Sequence, residues 1–138
     1  MPFTVAVLDE ASYGRLGAER ATELCAAAFS SRGFDVERMG EVSVVLAEPD
    51  VIRDLNLTFR GKNEPTDVLS FVLDGPCGDM VGEVVICPTC VSPEMDVEEL
   101  VVHGTLHLSG MDHGEDFEES EMARVQAAII RAVRDAEG

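Results

Sequence analysis

His103-Gly-Thr-Leu-His107-Leu-Ser-Gly110-Met-Asp112-His113 contains every histidine of a 138-residue chain. His103 and His107 close an apolar run that includes Leu100, Val101, Val102, Leu106 and Leu108. On a helix, side chains four apart share a face with Cβ atoms about 5–6 Å apart, so the two imidazoles form a two-point grip for a metal ion. Gly110 suits the left-handed conformation that ends a helix, which would turn the chain back and bring His113 to the same ion. Three imidazoles and one open position describe a catalytic zinc site, with one ion per chain; a structural zinc site fills all four positions with protein ligands.

The spacing is also that of the metzincin peptidases, but residue 104 is glycine where that chemistry uses a glutamate as general base. A zinc peptidase is therefore disfavoured. Asp112 is the nearest carboxylate, and an aspartate after a glycine turn serves either as a turn residue or as the group that holds a ligand histidine through its second nitrogen.

Outward from this stretch, the pattern predicts a metal-bearing helix over Pro93–Leu108, with an acidic first turn at Glu94, Asp96, Glu98 and Glu99. Strands are predicted at Phe3–Leu8, Glu41–Glu48, Thr66–Leu73 and Val81–Cys87, with a Gly- and Pro-containing loop from Asp74 to Met80 between the last two. Helical periodicity runs from about Ala11 to Gly33, with Leu16, Leu24 and Ala28 on one side. A second helix begins at Pro49, carries Ile52, Leu55 and Phe59 on one stripe, and ends at Arg60 with Gly61 as its cap. A last helix, Phe117–Val133, turns Met122, Val125, Ile129 and Val133 to the core. Interleaved strands and helices make a single domain over residues 1–138 of α+β or α/β class, a small four-stranded sheet carrying helices.

A composition 46% hydrophobic and 27% charged fits a soluble globular protein. No apolar run is long enough to span a membrane, and the first ten residues lack a secretion signal, so the expected location is the cytoplasm, with no membrane partner. The cysteines at 25, 77, 87 and 90 are then expected as thiols. The formal net charge is -17: nine arginines and Lys62 stand against 27 acids. A protein that captures naked nucleic acid by counterion release carries a basic surface. The acids serve solubility, reflect a salty cell, or mark a substrate delivered by a partner.

Two blocks, Leu55-Asn56-Leu-Thr-Phe-Arg60-Gly61-Lys62 running on to Pro65-Thr66-Asp67-Val68-Leu69-Ser70-Phe71, and His103 to His113, together resemble the YbeY family of bacterial ribosomal RNA maturation endoribonucleases. Gly82 to Pro88 is similar to that family's strand after the loop, so the resemblance covers roughly residues 40 to 125. It implies a zinc ion on His103, His107 and His113 beside a mixed four-stranded sheet, and a phosphate-stabilising role for Arg60. It also implies single-strand cleavage in processing the 3′ end of small-subunit ribosomal RNA, ribosome quality control, and the small ribosomal subunit as partner. Lys62, Thr66, Asp67 and Ser70 are candidate substrate contacts, each equally explained by turn or strand-end chemistry. The segment between Cys87 and the metal helix is shorter than is usual in the family, and Val72 stands where a proline is often found. Zinc would supply an activated water or a Lewis acid for phosphodiester cleavage, and arginine a planar fork of donors for phosphate oxygens.

Two other readings stand beside this one. Cys87-Pro88-Thr89-Cys90 after a strand is the pattern by which redox proteins present a low-pKa thiolate, and Cys77, Cys87 and Cys90 are a weaker zinc set. A non-enzymatic ribosome-associated factor with a structural metal would dock its acidic surface on a basic ribosomal protein.

Overall fold

The computed structural model describes residues 3–74, 80–91, 95–112 and 120–136. Strand β1 (Val5–Asp9) leads through helix α1 (Ala18–Ser31) to strand β2 (Val42–Leu46), and helix α2 (Pro49–Arg60) connects to strand β3 (Val68–Asp74). Strand β4 (Met80–Ile86), helix α3 (Val97–Leu108) and helix α4 (Glu121–Asp135) complete the order. The four strands form one mixed sheet in the order β1-β2-β4-β3: β1 and β4 run parallel to β2, and β3 runs antiparallel to β4. This is a small α+β domain. The parallel pairs need crossovers, which α1 and α2 contribute to, whereas β3 and β4 are hairpin neighbours. Among the described residues, no helix is long and apolar enough to cross a membrane.

The central strands are apolar on both sides because both faces of the sheet are covered. Val44, Leu46, Val84 and Ile86 join α1, α3 and α4 in the main core, with Leu24, Phe29, Leu100, Leu106 and Met122 among its fully buried side chains. Val45, Ala47, Leu69, Val85 and Cys87 face the other way, onto Ile52 of α2.

The boundaries of α2 fall where Pro49 and Gly61 place them, and Gly61 takes the left-handed conformation at φ 71°. Elsewhere local hydrogen bonds move the ends. The Asp9 carboxylate accepts from the backbone N–H groups of Tyr13 and Gly14 at 2.9 and 2.7 Å. Those bonds hold its carboxyl below the ordinary range and stabilise a loop where Ala11–Gly17 was expected to be helical. Helix α3 starts at Val97, later than predicted, because Asp96 and Glu99 close a capping box; Pro93 and Glu94 lie outside the described residues. Ser120 caps α4 by accepting from Ala123 N–H, while 117–119 also lie outside them. Phe59, predicted on the core stripe, is 63% exposed. It lies near the end of α2 and meets Phe71 edge-on, ring centroids 5.0 Å apart.

Helix α3 lies very close to the sheet at Gly104. A Cβ there would stand 2.5 Å from Val84 Cγ1 and 3.0 Å from Ser70 Oγ. The same contact is bonded, since Ser70 Oγ donates to Gly104 C=O at 2.9 Å. Gly104→Ala should therefore strain the helix–sheet junction and lower stability by ~1–3 kcal/mol, the usual range for overpacking a close-packed core. Thermal denaturation measures it; an unchanged or raised melting temperature contradicts this packing.

Candidate functional site

With Gly104 turned to the sheet, the same helix carries His103 and His107 on an adjoining face, one helical turn apart. Their rings meet at 73° with centroids 4.8 Å apart, and the two Nε2 atoms are separated by 3.2 Å. Each ring is anchored at its other nitrogen. His103 Nδ1 lies 3.0 Å from Oε1 of Gln126, a buried side chain of α4. His107 Nδ1 lies 3.1 Å from the backbone oxygen of Met111.

The chemistry of this donor set follows from protons. A carbonyl oxygen carries none, so in each anchoring bond the imidazole Nδ1–H donates. A neutral ring protonated at Nδ1 has a bare lone pair at Nε2. At 3.2 Å the two Nε2 atoms converge closely enough for one cation, a proton or a metal ion, to be shared between them. Metal-binding histidines characteristically donate their second ring N–H to a carbonyl or carboxylate, and both rings here do so. The residues present thus fit a metal that prefers imidazole nitrogen, zinc above hard cations.

The chain does double back after α3. Gly110 has φ 99°, Gly110 N–H donates to His107 C=O and Met111 N–H to Leu106 C=O. That reversal is what carries the Met111 carbonyl over His107. Asp112 Oδ1 stands 3.9 Å from the same Nδ1, on a side chain 88% exposed, so the direct anchor of His107 is the Met111 carbonyl. His113 lies outside the described residues. Among those described, no group of three or more His, Cys, Asp or Glu side chains is placed to hold a metal.

The histidines open onto a cleft of about 560 Å³ lined by Arg60, Thr66, Asp67, Val68, Leu69, Ser70, Met95 and Asp112 as well. Arg60 is the last residue of α2. Two carbonyls of that helix end are met by backbone donors, Gly61 N–H to Leu57 and Lys62 N–H to Asn56. Arg60 itself lines the cleft. Asn56, 1% exposed, donates its Nδ2 to Glu64 C=O at 2.9 Å and so ties down the turn that leads to Thr66 and Asp67. Ser70 spends its hydroxyl proton on Gly104 C=O. Thr66 Oγ1 reaches Asp67 Oδ1 at 3.4 Å. Lys62 is exposed and is not among the cleft-lining residues.

Sequence reasoning missed Gln126, the Met111 carbonyl and Asn56. Gln126 had one visible signal: it lies four residues after Met122 and three before Ile129, a long polar side chain on an otherwise apolar stripe. The Cys-x-x-Cys segment is a different matter. Cys87 is fully buried, and Pro88–Cys90 forms a single tight turn against the α2 side of the sheet. Burial, with Cys87 beside it, pushes the Cys90 thiol up to about 11. A redox pair of this type presents at least one partly exposed, reactive thiol; here Cys87 has no exposed surface and Cys90 is the raised one. Cys77 lies outside the described residues.

A mixed four-stranded sheet bearing a helix whose two imidazoles share an open cleft with an arginine defines a small α+β protein with a histidine- and arginine-lined site. Residues 14–134 match the family model described as Endoribonuclease YbeY. A Rubrobacter xylanophilus protein named Endoribonuclease YbeY is 70% identical over 135 residues, which span 97% of this chain and 98% of that one. The solution structure of a Thermotoga maritima protein superposes with a TM-score of 0.57 at 30% identity, covering 94% of this chain and 88% of the other. The chain belongs to the YbeY family.

The raised thiol of Cys90 has a direct readout. Moving a thiol from 9.0 to about 11 lowers its thiolate fraction at pH 8 about 100-fold, and the thiolate is the reacting species. Cys90 should therefore alkylate about 100-fold more slowly with iodoacetamide at pH 8 than an ordinary exposed cysteine, as followed by peptide mass spectrometry. Rapid alkylation there would restore the redox reading.

Proposed function

We propose that this chain is a metal-dependent endoribonuclease that cuts single-stranded ribosomal RNA, in processing the 3′ end of the small-subunit RNA and in ribosome quality control. The observation that carries this reading is the convergence of His103 Nε2 and His107 Nε2 at 3.2 Å on a cleft that Arg60 also lines. His103 and His107, joined by His113, would hold one zinc ion. A zinc ion in that set supplies Lewis acidity toward a phosphoryl oxygen and acidifies water toward neutral pH.

The protein's own part is positional and electrostatic. The Gln126 and Met111 oxygens fix which nitrogen of each imidazole is bare. The planar guanidinium of Arg60 can span two phosphate oxygens, so it stabilises the negative charge that grows there as the phosphodiester is cut. Thr66 and Asp67 lie just before β3 and line the same cleft, where they offer polar groups to a ribose. Asp67 and Asp112 are the carboxylates that line the cleft. Ser70 works indirectly, holding α3 against β3 through Gly104. A cleft of about 560 Å³ is in the range that holds one small-molecule-sized unit, which favours a nucleotide of a single strand over a duplex.

The charge directs where the substrate comes from. With a net charge of -17, the surface repels phosphate at long range, while at ~0.15 M salt screening confines these effects to about 8 Å. Arg60 can still hold a phosphate once contact is made. Delivery then falls to the small ribosomal subunit in the cytoplasm, where a basic ribosomal protein would find the acidic surface attractive.

The test compares zinc-loaded, stripped and reloaded protein on small-subunit RNA. Loaded wild type should contain one zinc and cleave, stripped protein should not, and reloading should restore activity. His107→Ala should lose the metal. Arg60→Ala should keep it and its melting temperature while cleavage falls on the order of 10²–10³-fold, as for loss of a donor that stabilises transition-state charge. Stripped protein that cleaves as well as loaded protein would overturn the assignment, and an Arg60→Ala protein that cleaves normally but melts earlier would return Arg60 to helix capping.

A further inference from the structure

Gln126 belongs neither to the three-histidine signature nor to the arginine block. It comes from α4, and its side chain is 4% exposed among Met122, Ile129, Ile130 and Val133 of the same helix. A glutamine at such a position in a core loses its water and needs a partner to offset that cost. Its Oε1 is 3.0 Å from His103 Nδ1, a bond between residues 23 apart in sequence and buried throughout.

We propose that Gln126 is the positioning residue that selects the Nδ1–H form of His103 and so makes its Nε2 a ligand. An imidazole carries its proton on either nitrogen, and only the form with a bare Nε2 can bind a cation in this cleft. In this orientation the amide presents its oxygen, which can only accept, and so it places the proton at Nδ1 and sets the ring plane with it. The neutrality of this acceptor matters as well. A carboxylate in the same place would push electron density into the ring and draw a second proton onto it when no metal is bound. The amide sets the same tautomer without that charge, in a chain that already carries 27 acids, and leaves the bound ion more electron-poor. His107 receives the equivalent fixation from the Met111 carbonyl, which no side-chain substitution removes. Of the two anchors, only Gln126 is thus a site where mutation can change ligand quality without touching a ligand.

This assignment rests on the reading of His103 as a metal ligand, so the test has one arm that needs no metal. In metal-free protein, two-bond nitrogen–proton NMR correlations at pH 8.5 should show His103 protonated at Nδ1. Gln126→Leu, and Gln126→Asn, whose side chain is one carbon too short to reach, should shift population toward the Nε2–H form. In the second arm, zinc affinity measured by chelator competition should fall about 10–100-fold in both variants, the usual loss when the partner of a ligand histidine is removed. Gln126→Glu should recover it to the wild-type level or above. Melting temperatures are read alongside. Folded Leu and Asn variants that keep the Nδ1–H form and wild-type zinc affinity overturn the proposal. So does an affinity loss that follows melting temperature and is not recovered by Glu, since Gln126 would then only join α3 to α4. A wild type that takes up no zinc, yet whose His103 tautomer still changes with residue 126, overturns the metal reading and leaves the tautomer assignment standing.

Discussion

The close seating of α3 on the sheet at Gly104 is the constraint from which the rest of the arrangement follows. Because no Cβ fits beside Val84 there, the helix has one rotational setting, pinned by the Ser70 hydroxyl on the Gly104 carbonyl. That setting presents His103 and His107 to the cleft and buries Leu100, Val101, Val102 and Leu106. It also accounts for the absence of the peptidase glutamate at this position. A side chain at 104 would point into Val84 and Val68 rather than toward substrate, so a base at that place in the sequence is geometrically useless. Under the proposed function phosphodiester chemistry would tolerate this, since Arg60 and the ion that the imidazoles would hold would supply the positive charge at the phosphate.

The second dependency is electrostatic. Two imidazoles held by carbonyl oxygens at their Nδ1 atoms present their Nε2 atoms 3.2 Å apart, the arrangement of a pair set to share one cation. The anchors come from separate places, Gln126 on α4 and Met111 after the reversal at Gly110, so the pair's geometry depends on the packing of α4 against α3 as well as on helix spacing.

Much of this was legible in the residues. Proline at the start and glycine at the end set α2 to the residue, because both act through their own backbone. The His-x3-His spacing placed two rings on one face for the same local reason. What stayed hidden was decided by partners distant in sequence or by competing local bonds. The start of α1 depends on the Asp9 carboxylate capturing two amides in the next turn, and the start of α3 on Asp96 pairing with Glu99. Phe59 fits the apolar stripe of α2 but lies beyond what the sheet covers, so its place became an edge contact with Phe71. Lys62 follows Arg60 by two residues and yet leaves the cleft, because the left-handed Gly61 turns the chain. Gln126 could have been noticed only as a polar interruption; that it faces His103 is a fact of tertiary packing.

Zinc K-edge X-ray absorption on the stoichiometrically loaded protein tests the centre of this account most directly. The account predicts a first shell of nitrogen and oxygen at about 2.0–2.1 Å, with the outer-shell scattering of imidazole rings and no sulfur. Sulfur at about 2.3 Å would place the ion on the cysteines and contradict it.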